Sequence, residues 1–442
     1  MTTAALFTDL YELTMLAGYL AAGCAEEQAT FDLYFRNPPA GVDLVVAAGL
    51  DPVLDYLEAL SFDDEDLAYL SSLSLFDDTF LTYLGQLAFR GDVWAVPEGL
   101  PVFSDEPLLR VSATLAEAQL VETYLLNRIC YSSLVASNAA QLTRAARGKP
   151  VLEFGARRAH GPDGAMTGAR AAMIGGCTAT SNVAAGQRFD VAVSGTQAHA
   201  FVMAFASELA AFRAYAATFP DASILLVDTY DTLGSGVPNA ITVANELAAG
   251  GHAMKGVRLD SGDLASLSRE TRRLLDAAGL PDVQIIASGD LDAERVRELE
   301  QLNVPIDGYG VGTSLLTARR DPALSGVYKL AEIAGGPVMK LSGSPAKATS
   351  PGRKQVWRGE AGDVIGLHDE QLEGEPLLVE AMRGGQRMLP PADLAQLARR
   401  SQEAVAAIHP RVVTGEWSVR SSQRLAALRA ATMQRLRHDL AH

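Results

Sequence analysis

Between residue 150 and about residue 317 the chain repeats one pattern: a short apolar run, a cluster of polar residues and glycines, then a stretch of helical periodicity. The runs are 151–154, 191–194, 224–227, 256–259, 283–287 and 308–311. They recur every 20 to 40 residues, roughly the length of a strand plus a crossover helix, and such a crossover returns each strand parallel to the last. Parallel strands bring all their C-terminal ends to one edge, whether the sheet stays open or closes on itself. The expected class is therefore α/β, as a six- or seven-stranded, incomplete α/β barrel, with an open doubly wound sheet as the alternative.

The flanking segments read differently. Residues 1–110 mix short apolar runs with turn signals such as Asn37-Pro38-Pro39 and Val96-Pro97-Glu98-Gly99, which suits a mixed α/β unit with strands at 92–96 and 101–103. Residues 113–146 carry Leu115, Leu120, Tyr124, Leu125, Ile129 and Leu134 at helical spacing, so 111–320 is expected to be a helical lead-in followed by the barrel. From 321 to 442 the pattern changes again. Antiparallel strands are expected near 327–330 and 337–341, packing with the N-terminal unit, and a helical tail from about 391.

Composition narrows the function classes. With 37 basic and 53 acidic residues the formal charge is -16, which argues against nucleic acid or an anionic membrane as partner. An anionic small molecule remains possible if arginines and backbone N–H groups gather locally against that field. Cys24, Cys130 and Cys177 are scattered and lack metal-ligand spacing, so reduced thiols in a cytoplasmic protein are expected. The N-terminus lacks a basic segment ahead of its apolar stretch, and no uncharged run reaches the roughly 18 residues of a membrane span.

The residues that end the apolar runs carry the chemistry. In order they are Gly155-Ala156-Arg157-Arg158, Gly195-Thr196-Gln197-Ala198-His199, Asp228-Thr229-Tyr230-Asp231, Asp260-Ser261-Gly262-Asp263, Ser288-Gly289-Asp290 and Gly310-Val311-Gly312-Thr313. Each alone has a plain structural reading: Asp228, Asp260 and Asp290 as helix caps, the arginines as a solvated pair, the glycines as turns, His199 as a structural histidine. The glycine string does not match the dinucleotide fingerprint, and no G-x-x-x-x-G-K-[ST] loop exists. Six successive strand ends bearing phosphate- or sugar-competent groups are hard to obtain by capping alone. Converging on one edge, they suit a ligand with phosphates and a ribose.

Glu153 to Arg158 with Ala159 to Gly164, Gly195-Thr196-Gln197-Ala198-His199, Arg258 to Asp263 and Gly310 to Thr313, with Phe7-Thr8-Asp9-Leu10-Tyr11-Glu12-Leu13-Thr14-Met15 near the start, together resemble nicotinate phosphoribosyltransferase, a type II phosphoribosyltransferase. The resemblance runs from about residue 5 to 360 with the motifs in the family's order. It implies an irregular α/β barrel plus a mixed domain built from both chain ends, assembled as a homodimer with shared active sites. It also implies a reaction: nicotinate and 5-phosphoribosyl 1-pyrophosphate give nicotinate mononucleotide and pyrophosphate in NAD salvage. ATP hydrolysis is coupled to that reaction through a phosphohistidine, and His199 matches the histidine.

The resemblance also suggests roles for other residues. Displacement at the ribose C1 passes through an oxocarbenium-like state, so Asp260 and Asp290 are candidates for stabilising it and holding the diol. Arg157, Arg258 and the backbone from Gly310 to Thr313, notably Gly312 and Thr313, with Gly289, are candidates for the phosphates, and Mg²⁺ for a further counterion. Phe154 and Tyr11 match the positions that sandwich the pyridine ring, Tyr11 arriving from the neighbouring subunit. Thr196 and Arg258 match positions that bind the nicotinate carboxylate. Ser181, in Ala179-Thr180-Ser181-Asn182-Val183, stands where nicotinamide-using relatives carry an aspartate, and a neutral donor there suits an acid substrate. Three alternatives are weighed: a relative using nicotinamide, a barrel aldolase or isomerase acting on a sugar phosphate, and a ligand sensor without catalysis. The strand-end strings hold no lysine for a Schiff base, and a pure binder has no use for a phosphorylatable histidine.

Overall fold

The computed structural model describes residues 4–341, 348–391 and 393–440. The chain divides into two compact units, one running from Val135 to Pro322 and the other formed by the residues up to Leu134 together with those from Ala323 onward. The first division falls inside the helix Glu122–Ala145.

The central unit holds six strands: β1 (Val151–Glu153), β2 (Ala179–Thr180), β3 (Ile224–Leu226), β4 (Gly256–Leu259), β5 (Gln284–Ala287) and β6 (Gly308–Val311). They form one sheet in the order β2-β1-β6-β5-β4-β3, and every pairing is parallel. Most of their apolar residues are buried, among them Val151, Leu225, Leu226, Val257, Leu259, Ile285, Ile286 and Val311, as expected of strands covered on both faces. Among the described residues nothing pairs β3 with the β2 edge, so the half-barrel is not closed.

One expected strand is absent as such. Residues 191–194 contribute a single parallel bridge, Val193 to Thr180, at the β2 edge. Asp190 just before them sits in the left-handed region (φ 51°) and Val193 is 51% exposed, so the run has neither a second neighbour nor a buried face to extend it. The β2 position is taken instead by two residues too few to register as a strand in sequence.

In the other unit a seven-stranded antiparallel sheet joins both chain ends. Its order is Gly336–Pro337, Gly326–Ile333, Gln28–Phe35, Leu109–Thr114, Asp92–Ala95, Val379–Arg383, Gln386–Arg387. The central contact pairs Phe35 with Gly326 and Leu33 with Tyr328. A second sheet of four strands includes Lys354–Arg358 and Gly362–Leu367. Two helices, Leu394–Val413 and Gln423–Asp439, occupy the C-terminal stretch. A buried ion pair between Lys354 and Asp32 (2.7 Å) links the post-barrel chain to the N-terminal strand. Among the described residues no helix is long and apolar enough to cross a membrane.

Candidate active site

The C-terminal ends of the parallel strands surround a cavity of about 600 Å³. Its wall includes Phe154, Arg157, Ser181, Thr196, Arg258, Asp260, Gly289, Asp290, Gly312 and Thr313, together with Gln197 and Ser288.

Glu153 organises one side. It is wholly buried at the end of β1, accepts hydrogen bonds from the Gly155 N–H and the Thr180 hydroxyl, and has its carboxyl pushed above the usual range by burial. Its carbonyl accepts the N–H of Ser181, so β1 sets the height of both Phe154 and Ser181 at the cavity. The Phe154 ring lies against the backbone of β6: a Cβ at Gly310 would come within 2.5 Å of it. Only glycine leaves that space.

On the opposite side, Arg258 near the end of β4 donates from Nη1 to the Thr196 hydroxyl at 2.5 Å. Burial pushes its guanidinium pKa down, with Asp260 and Asp228 opposing that shift. Asp260 accepts from the Ser288 hydroxyl at 2.5 Å, and its own N–H donates to Asp228 Oδ2 at 3.1 Å. Gly289 lets the ends of β4 and β5 meet. It has φ 93°, and a Cβ there would lie 1.8 Å from the Asp260 carbonyl. His199 opens a short helix, with Nδ1 3.2 Å from the Thr229 hydroxyl and Nε2 3.8 Å from Asp260 Oδ2.

The capping question has a direct answer. The N-cap positions are held by Asp231, Asp263 and Asp292, whose carboxylates accept backbone N–H bonds from the turns they start. Asp228, Asp260 and Asp290 are two or three residues earlier and cap no helix. Asp260 and Asp290 face the cavity, and Asp290 pairs with Arg319 at 2.8 Å.

Family models match this chain twice: an N-terminal domain of nicotinate phosphoribosyltransferase over residues 6–130, and the nicotinate phosphoribosyltransferase family over residues 150–373. The chain belongs to the nicotinate phosphoribosyltransferase family. A nicotinate phosphoribosyltransferase of Mycobacterium tuberculosis is 48% identical over 389 residues, covering 87% of this chain and 83% of that protein. One from Bacillus subtilis is 47% identical over 384 residues, covering 84% and 78%. The crystal structure of human nicotinic acid phosphoribosyltransferase superposes with a TM-score of 0.85 at 33% identity, covering 96% of this chain and 99% of that one.

The nicotinate phosphoribosyltransferase motifs thus meet around one cavity, with two exceptions. His199 is beside it, reaching it through Asp260, and Tyr11 belongs to the other unit, where its ring is 46% exposed. Glu153, Thr229, Ser288 and Gln197 went without a role in the sequence reading. Glu153 had a signal there, being a charged residue inside an apolar run. Thr229 and Ser288 act as partners of His199 and Asp260, which only the fold brings next to them.

Proposed function

We propose that this chain joins nicotinate to 5-phosphoribosyl 1-pyrophosphate, giving nicotinate mononucleotide and pyrophosphate in NAD salvage, with ATP hydrolysis coupled through His199. The observation that carries this reading is one cavity where an aromatic ring, a half-buried guanidinium and two aspartates that cap no helix converge in a member of this family.

The ring nitrogen of nicotinate attacks the ribose C1 as the C1–O bond to pyrophosphate breaks. Positive charge grows on the ribose in that step, and a carboxylate fixed beforehand stabilises it without reorganising. Asp260, held by Ser288 and by its N–H bond to Asp228, has that fixed position. Phe154 offers a face for the pyridine ring, and Arg258 with Thr196 and Ser181 offers donors for its carboxylate. The phosphates draw on Arg157, on Arg258 and on the backbone at Gly289, Gly312 and Thr313. The residues fit Mg²⁺ as an ion arriving with the substrate. Among the described residues no group of three or more His, Cys, Asp or Glu side chains cages a metal, whereas Asp260 and Asp290, the latter paired with Arg319, belong to the cavity wall. Magnesium binds in this way, through one or two carboxylates plus substrate phosphates, and would supply charge to the leaving pyrophosphate.

His199 serves the coupling. Its ring is oriented by Thr229, which leaves Nε2 toward Asp260 and the cavity. A ring nitrogen attacks the γ-phosphorus of ATP, the N–P bond forms as the bond to ADP breaks, and water later cleaves the phosphohistidine. Tyr11 would complete the ring sandwich from the neighbouring subunit of a homodimer; the exposed stripe Phe7, Leu10 and Tyr11 supports that reading.

The test incubates purified protein with the sugar pyrophosphate, Mg²⁺ and either nicotinate or nicotinamide, with and without ATP. Nicotinate mononucleotide should form, faster with ATP, and nicotinamide should react poorly. His199→Ala should retain slow ATP-independent transfer and lose ATP hydrolysis. Acid-labile label retained by that variant after exposure to γ-labelled ATP would defeat the role given to His199, and the absence of product with nicotinate would defeat the reading as a whole.

A further inference from the structure

Gln197 belongs to the cavity wall and buries an amide with nothing to bond. The residue is 5% exposed, lines the cavity wall, and neither Oε1 nor Nε2 has a hydrogen-bond partner. Buried polar groups are almost always paired, because an unpaired donor or acceptor keeps its full desolvation cost. Nor is the loop free to turn this side chain out to water. On one side of Gln197, Thr196 is bonded to Arg258; on the other, His199 is held by Thr229 and sits 3.8 Å from Asp260. Two attachments to the end of β4, one through Thr196 and one through His199, thus bracket Gln197 in the chain.

We propose that Gln197 is a ribose-binding residue, its amide accepting from and donating to hydroxyls of the sugar pyrophosphate. This rests on the function proposed above. The choice of ligand group follows from hydrogen-bond capacity. An amide offers both a donor and an acceptor. The nicotinate carboxylate, the pyridine nitrogen and the phosphate oxygens only accept, so each would leave Oε1 unpaired. Of the groups on these two substrates, the ribose hydroxyls alone both give and take a hydrogen bond.

The test is Gln197→Leu, which keeps the bulk and removes both polar atoms. Without ligand it should melt at the wild-type temperature or above, since apolar replacement of an unpaired buried amide relieves its cost. Calorimetric titration with 5-phosphoribosyl 1-pyrophosphate and Mg²⁺ should show affinity reduced about tenfold, the loss expected of two hydrogen bonds at about threefold each. The KM for that substrate should rise in step, the KM for nicotinate should change less than twofold, and pyrophosphate alone, which has no ribose, should bind both proteins alike. A lowered melting temperature with unchanged sugar affinity would make Gln197 a structural residue. An equal loss for pyrophosphate would place the amide on the phosphates, and a raised KM for nicotinate alone would place it on the ring. Should the leucine variant not fold, Gln197→Met is read the same way, and failure of both to fold overturns the assignment. A wild-type protein that makes nicotinate mononucleotide while the variant binds normally refutes only Gln197; a wild-type protein that does not bind the sugar pyrophosphate refutes the functional reading and this assignment with it.

Discussion

The guanidinium of Arg258 and the hydroxyl of Thr196, 62 positions apart in the chain, meet at 2.5 Å, so the arginine near the end of β4 is held by the loop leading to His199. This contact joins the two parts of the sheet edge that the proposed reaction needs together. It also fixes a cation where burial disfavours charge, and the Arg258 Nε–H remains without a partner. A half-buried guanidinium with a donor to spare is ready for an anion.

Arg258→Ala should therefore weaken nicotinate and the sugar phosphate together, because one guanidinium can bridge neighbouring carboxylate and phosphate oxygens. Charge-assisted bonds of this kind contribute about 1.5–3 kcal/mol, so affinity should fall roughly tenfold or more. Arg258→Lys should recover little, since a lysine cannot bond Thr196 and a substrate anion in the same fork. Steady-state kinetics with each substrate varied in turn decides it: a KM unchanged for both would show that the side chain faces elsewhere.

The barrel was readable in the sequence because parallel strands buried on both faces stay apolar throughout, and because their polar ends cluster on one edge. Recognition failed where sheet membership depended on a partner. Ala179 and Thr180 become a strand through Glu153, whose carboxylate takes the Thr180 hydroxyl, and residues 191–194 lose theirs for want of a second neighbour. Much of the candidate site's lining was legible in the strand-end strings, but the capping ambiguity was not resolvable there: an aspartate at a strand end and one two or three residues later look alike until the helix start is known. Asp263 and Asp292 cap; Asp260 and Asp290 do not.

Glu12 makes a pH prediction. It is wholly buried, accepts at Oε1 from the Thr123 N–H (2.9 Å) and hydroxyl (2.8 Å), and also takes the Thr8 hydroxyl. Burial raises its carboxyl from 4.5 to about 7; Glu122 adds to the rise, and the threonine bonds offset part of it. Because the folded state holds this proton more tightly than the unfolded one, the contribution is complete below about pH 4.5, declines as pH rises, and is lost above about pH 7. Glu12→Gln removes the titration. The melting temperature of the variant, measured relative to wild type, should climb across that window and level off above it. Parallel curves would show that Glu12 does not titrate there.

Tyr11 follows Glu12's neighbourhood on the same helix, Leu10–Ala22, yet faces the other way. Glu12, Leu13 and Leu16 are buried while Phe7, Leu10 and Tyr11 are 46 to 52% exposed. Leu10, one turn from Leu13 in sequence, lies on the exposed stripe with Tyr11, so packing within the protomer does not account for the tyrosine. If its ring stacks on nicotinate held in the neighbouring subunit, Tyr11→Ala should raise the KM for nicotinate several-fold, since stacking is worth about 0.5–1.5 kcal/mol beyond area burial. Folding should survive, because an exposed ring is removed. The sharper experiment mixes Tyr11→Ala chains with Asp260→Ala chains under conditions of subunit exchange. In a heterodimer one site takes both defects and the other takes none, so about a quarter of all sites in a randomised equal mixture should be intact, as expected for a two-fold dimer with shared sites. Activity should then exceed the average of the two unmixed variants. Demonstrated exchange without that gain would show that Tyr11 acts within its own subunit or outside the site.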